Sequence, residues 1–130
     1  MAAAWKSLLV LEDVEHALVM GVAGTLASAT AADQADFLIF VPFDMTLKRL
    51  KASVKVAPSS STTFQIRRST DSGGTFSNAF GTVVISSSAK VGVADPADLN
   101  VDEGDLLNFS ITVGGGSGEN AAIHVLGVQR

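Results

Sequence analysis

Apolar and polar residues alternate in short runs through most of this chain. Leu50, Ala52, Val54 and Val56 interleave with Arg49, Lys51, Ser53 and Lys55. Leu107, Phe109, Ile111 and Val113 interleave with Leu106, Asn108, Ser110 and Thr112. A period of two sends alternate side chains to opposite faces of a strand, so one set is expected in a core and the other outside. The pattern predicts strands over 47–56, 62–69 (Phe64 and Ile66 inward, Gln65 and Arg67 outward), 80–86, 106–113 and 121–128, with short pieces at 90–93 and 99–101. The near-continuous apolar run 36–43 (DFLIFVPF) reads as a strand buried on both faces, with Pro42 marking an edge or bend at its end.

The breaks between these runs carry turn chemistry. Asp71-Ser72-Gly73-Gly74 reads as a hairpin turn, because glycine accepts the positive φ such turns need. Asp102-Glu103-Gly104-Asp105 reads as a second turn, with Gly104 in the left-handed position. About eight strands at regular spacing predict an all-β, antiparallel β-sandwich of jelly-roll type.

The N-terminal stretch does not follow this pattern. Trp5, Leu8, Leu9 and Leu11 make residues 1–10 strongly apolar, so they need burial on this domain or on a neighbour. Residues 11–19 fit a short helix poorly, and 19–26 fit a strand equally well. The division expected is an N-terminal arm over 1–18 and a sandwich domain over 19–130. Ala27-Ser28-Ala29 has the small residues of a signal cleavage site, but Glu12, Asp13 and Glu15 stand where a signal peptide carries positive charge. The uncharged run 17–32, which holds that tripeptide, is too short and too rich in Ala, Gly, Ser and Thr to span a bilayer. The chain is read as soluble and unprocessed.

Composition narrows the function. Charged residues make up only 17% of the 130 residues, against about 25% on average, which gives the bland surface of a protein packed against neighbours. A net charge of −4 and the absence of Tyr speak against nucleic-acid binding. There is no Cys for disulfides or thiolate metal sites. The charges are segregated. Lys48, Arg49, Lys51, Lys55, Arg67 and Arg68 lie in a stretch without acids, and Asp95, Asp98, Asp102, Glu103 and Asp105 in one without bases. Two outcomes stay open: the patches neutralise each other within one subunit, or they bind copies and neighbours.

Candidate chemistry is sparse. His16 and His124 are the only histidines, and neither has ligand-like spacing to other residues. The acidic segment 95–105 does not follow a calcium-loop pattern, and turn formation accounts for Asp102 and Asp105. Neither glycine-rich stretch, 73–74 or 114–118, has the form of a phosphate loop, and no nucleophile elbow occurs. No catalytic residue, metal ligand or cofactor site is expected.

The segments VPFDMTLKRLKASVKVAP (41–58), TTFQIRRSTDSGGTF (62–76) and LNVDEGDLLNFSITV (99–113) resemble small β-sandwich virion proteins of tailed bacteriophages, such as capsid decoration (cement) proteins. The resemblance implies a non-enzymatic structural protein on the capsid surface, made in the host cytoplasm. It would be a homo-oligomer, with a trimer favoured, contacting the major capsid protein or another virion protein, with no nucleic acid or membrane partner. The alternative is a glycan-binding or adhesion module of a tail, fibre or surface protein, which would expose aromatic rings. The expected partner contacts are Trp5, Leu8, Leu9 and Leu11 on the arm, and Arg49, Lys51 and Lys55, with Arg67, as a basic stripe.

Overall fold

In a computed structural model, residues 14–25, 38–113 and 118–130 are described. They form nine strands: β1 (Glu15–Thr25), β2 (Ile39–Phe40), β3 (Met45–Val56), β4 (Thr62–Ser69), β5 (Ser77–Ile85), β6 (Val91–Ala94), β7 (Leu99–Val101), β8 (Leu106–Val113) and β9 (Glu119–Gln129). One sheet runs β1-β9-β3-β6, with β7 also paired to β3; the other runs β2-β8-β4-β5. Every pairing is antiparallel.

The order of pairing defines the architecture. β1 pairs with β9, β2 with β8, β3 with β6 and β7, and β4 with β5. The chain is therefore one long hairpin with its tip between β4 and β5. Rolling that hairpin sends successive pairs alternately to two facing sheets, which is the jelly roll. The all-β sandwich expected from the alternation is what forms.

The core lies between the sheets. Met20, Leu47, Leu50, Ala52, Ile123 and Val125 come from the first sheet, and Phe64, Ile66, Val83, Leu107 and Phe109 from the second. Phe64 and Phe109 meet edge to face, with ring centroids 5.8 Å apart. That geometry sets the positive ring edge against a negative ring face.

The elements depart from the alternation in four places. First, β1 begins at Glu15, so the strand runs through the boundary drawn at residue 18, and 15–19 is strand rather than helix. Its pairing with β9 holds this segment, which has weak helix caps and a period-two burial pattern over 14–20. Secondly, β2 is two residues long, and Phe40 is 67% exposed, so the 36–43 run is not buried on both faces. β2 is an edge strand, and Ile39, Val41 and Phe43 turn towards the core. Thirdly, β3 carries a bulge between Leu47 and Arg49, opposite Gly127. The extra residue lets both Leu47 and Leu50 face inward. Fourthly, β8 is buried on both sides: Asn108 is only 1% exposed and Ser110 3%. Both stand opposite β4, Asn108 beside Arg67 and Ser110 beside Gln65.

The turns follow the expected chemistry. Gly104 has φ +90°. At the hairpin tip, Asp71 Oδ1 accepts from the Thr75 amide at 2.9 Å and from the Ser69 hydroxyl at 2.7 Å, and Asp71 Oδ2 accepts from the Thr75 hydroxyl at 2.7 Å. These bonds, the Thr75 amide first, hold the Asp71 carboxyl down at about 2 from its ordinary 3.8.

Two stability measurements check this account. A Cβ on Gly92 would press into the Val84 carbonyl, and one on Gly127 would lie 2.5 Å from the Thr46 carbonyl oxygen. Gly92→Ala and Gly127→Ala should each lower unfolding free energy by about 1–3 kcal/mol in urea titrations. For Asp71, a depressed folded pKa means its contribution is complete above pH 4 and fades as pH falls towards 2. Asp71→Asn should therefore be less stable than wild type at neutral pH, and the gap should close in acid. A gap that stays constant from pH 7 to pH 2 would remove the carboxylate from the account.

Candidate functional site

The described residues offer surfaces rather than a cleft of reactive groups, and charge is the first thing they settle. The fold sets β3 beside β6 and β7, which brings the basic stretch against the acidic one. Lys48 Nζ lies 3.0 Å from Asp98 Oδ2, and Arg49 Nε 3.2 Å from Asp95 Oδ1. Arg68 donates through Nε at 2.9 Å, and through Nη2, to Asp105 Oδ2. Arg130 Nη2 donates to Asp102 Oδ1 at 2.7 Å and to the Val101 carbonyl at 2.8 Å. Of the two outcomes left open by the sequence, neutralisation within one subunit holds for these pairs. Lys48–Asp98 and Arg49–Asp95 are exposed and contribute little to stability. Arg68–Asp105 differs, because Asp105 is buried and also accepts from the Asp102 amide at 3.0 Å.

The expected basic stripe divides. Arg49, Lys51 and Lys55 are on β3 in the first sheet, and Arg67 is on β4 in the second, so the sandwich separates them. Arg67 Nη2 donates to the Phe76 carbonyl at 2.6 Å beside the hairpin tip. Arg49 is held by Asp95, while Lys51 and Lys55 are exposed. Trp5, Leu8, Leu9 and Leu11 lie outside the described residues.

The outer face of the first sheet has a composition the sequence did not announce. The paired residues Val19, His124, Lys51 and Val93 form one row across β1, β9, β3 and β6. Gly21, Ala122, Ser53 and Val91 form the next. Val19, Val91 and Val93 are 44%, 62% and 58% exposed. In β6 the alternation is inverted, with Gly92 turned inward against Val84 and the two valines outward. A Val-Gly-Val run shows two faces but not which one is inside; the close approach of β5 decides it. On the neighbouring sheet, Leu38 and Phe40 are exposed.

The histidines lie apart. His16 packs edge-on against Phe43 at 5.0 Å, whereas His124 is on the outer row. Among the described residues, no group of three or more His, Asp or Glu is placed to hold a metal ion, and no helix is long and apolar enough to cross a membrane.

No family model matches the sequence, and no curated protein matches it. The fold has clear counterparts. A chain of the acid-stable capsid of Helicobacter pylori bacteriophage KHP30 aligns with a TM-score of 0.52 at 11% identity, over 88% of this chain and 93% of that one. A chain of the capsid of Ralstonia phage GP4 aligns at 0.54 and 16% identity, over 90% and 85%. Eiger TNF from S. frugiperda aligns at 0.55 and 10% identity, over 89% and 93%. At these identities the likeness is one of fold. The jelly roll is shared with phage capsid proteins and with a TNF.

The ion pairs supply a test. Arg68→Met strands the Asp105 carboxylate and should cost roughly 1.5–3 kcal/mol. Lys48→Met should cost under about 1 kcal/mol. Equal losses in chemical denaturation would show that burial does not distinguish the two pairs.

Proposed function

We propose that this protein is a non-enzymatic structural component of a tailed-phage virion, a capsid decoration protein that binds the shell surface as a closed homo-oligomer. The observation that carries the reading is the exposed, valine-bearing outer face of the first sheet, on a sandwich in which Lys48, Arg49, Arg68 and Arg130 are paired with acids of the same chain. A surface of that kind favours association with flat protein neighbours over capture of a small charged substrate. The jelly roll shared with chains of two phage capsids supports the choice of partner class.

The mechanism is mechanical. A stiff sandwich presents the same patch from each subunit, and symmetry repeats weak contacts on adjacent shell proteins. Simultaneous engagement multiplies their effect through high local concentration. Salt should weaken the contribution of Lys51 and Lys55 and leave that of the valines.

Purified virions of the phage encoding this chain should contain the protein in a fixed stoichiometry to the shell protein. Particles lacking it should lose DNA at a lower temperature and recover when the protein is added back. Its absence from virions, together with measurable sugar affinity in titrations, would favour the glycan-binding reading instead.

A further inference from the structure

A sandwich has four edge strands, and among the described residues β1 is the longest of them. β5 and β6 close one flank together, because Gly92 brings the β6 backbone against the Val84 carbonyl of β5. β2 is two residues long and is followed by Pro42. β1 is eleven residues long and, among the described residues, pairs only with β9. Sheet edges are normally blunted by charge, proline, bulges or short length, since their free N–H and C=O groups template pairing with another chain. From Ala17 to Thr25, β1 has no charged residue and no proline; it pairs with β9 without interruption from Glu15 to Val22, and a register shift follows between Val22 and Thr25. The same flank collects apolar surface. Of the eight large exposed hydrophobic residues among those described, four (Val14, Val19, Leu38 and Phe40) lie on or next to β1 and β2.

From this we infer that β1 is a self-pairing edge: two copies join β1 to β1, antiparallel about Val19, and their first sheets become one continuous sheet across a two-fold axis. This rests on the homo-oligomer reading and says which surface makes the oligomer. For a second copy of β1, the charges select the antiparallel orientation. Glu15, the strand's one acidic residue, stands at its start. Parallel, in-register pairing would set Glu15 beside Glu15, and like charges directly opposite are unfavourable. Antiparallel pairing about Val19 sets Glu15 opposite Ala23, Ala17 opposite Gly21, Leu18 opposite Met20, and Val19 opposite itself. The pairs from Ala17–Gly21 inward join residues of the same face. The core-facing Leu18 and Met20 line up with the partner's core-facing residues, and the exposed Val19 gains a β-branched partner. An isologous contact of this kind closes as a dimer, or as an assembly of dimers, and not as the trimer favoured by the sequence resemblance.

The test uses the full chain, whose lack of cysteine makes single-cysteine variants clean. Native mass should show a dimer. Val19→Lys places like charges face to face at the axis and should weaken association at least about tenfold, with the circular dichroism of the fold retained. Val19→Cys should cross-link to a covalent dimer on mild oxidation, because directly opposed Cα atoms lie about 4.5–5.5 Å apart, within disulfide range. Val91→Cys, at the opposite edge, should not. A wild-type monomer would sink both this pairing and the homo-oligomer reading. An oligomer that survives Val19→Lys and cross-links through Val91→Cys would sink the β1 edge alone and leave the homo-oligomer standing.

Discussion

The pairing of β3 with β9 is the contact on which the other strands depend. It runs from Met45–Gln129 to Val56–Glu119, and each strand uses its second edge to hold another part of the sheet. β9 carries β1, and β3 carries β6 and β7. The two strands fall out of step by one residue at Lys48, and Gly127 admits the Thr46 carbonyl there. Because of that slip, Leu47 and Leu50 both reach the core, and the strand after it keeps Arg49 in line with Asp95. Arg130 fastens the end of β9 to the Met45 and Val101 carbonyls and to Asp102. The register of the first sheet is therefore fixed by backbone geometry at one bulge and by a side chain at one end.

Much of the sandwich was legible in the sequence, because period-two alternation and turn residues are local signals. Phe64 and Ile66 turn inward as their spacing indicates, and Gly104 takes the left-handed turn position. What was not legible depends on neighbours distant in the chain. The inverted β6 could not be read from Val91-Gly92-Val93 alone, since the approach of Val84 settles which side is inside. Asn108 and Ser110 look like surface residues in a linear reading, but the structure buries them opposite Arg67 and Gln65 of β4. The pairing of the basic and acidic stretches likewise required knowing that β3 lies beside β6 and β7.

The same limit applied to the candidate surface. Charged residues drew attention first, and Arg49, Lys51, Lys55 and Arg67 looked like one stripe. The sandwich assigns Arg67 to the other sheet and gives Arg49 a partner within the chain. The more informative surface is apolar and comes from residues that resemble core in a linear reading, Val19, Val91, Val93 and Phe40. Hydrophobic residues in excess of what the core can hold are the signal that remained.

The rolled hairpin also orders events in time. Its tip, where Asp71 gathers Ser69 and Thr75, closes a short loop between β4 and β5. The pairing of Glu15 with Val128 closes most of the chain, and closure of long loops is slow and comes after local pairing has reduced the search. β1 is thus the strand with the greatest topological delay. Its outer edge acquires a defined register only on a molecule whose other strands are already in place, and a chain whose β1 has not docked presents the edge of β9 instead.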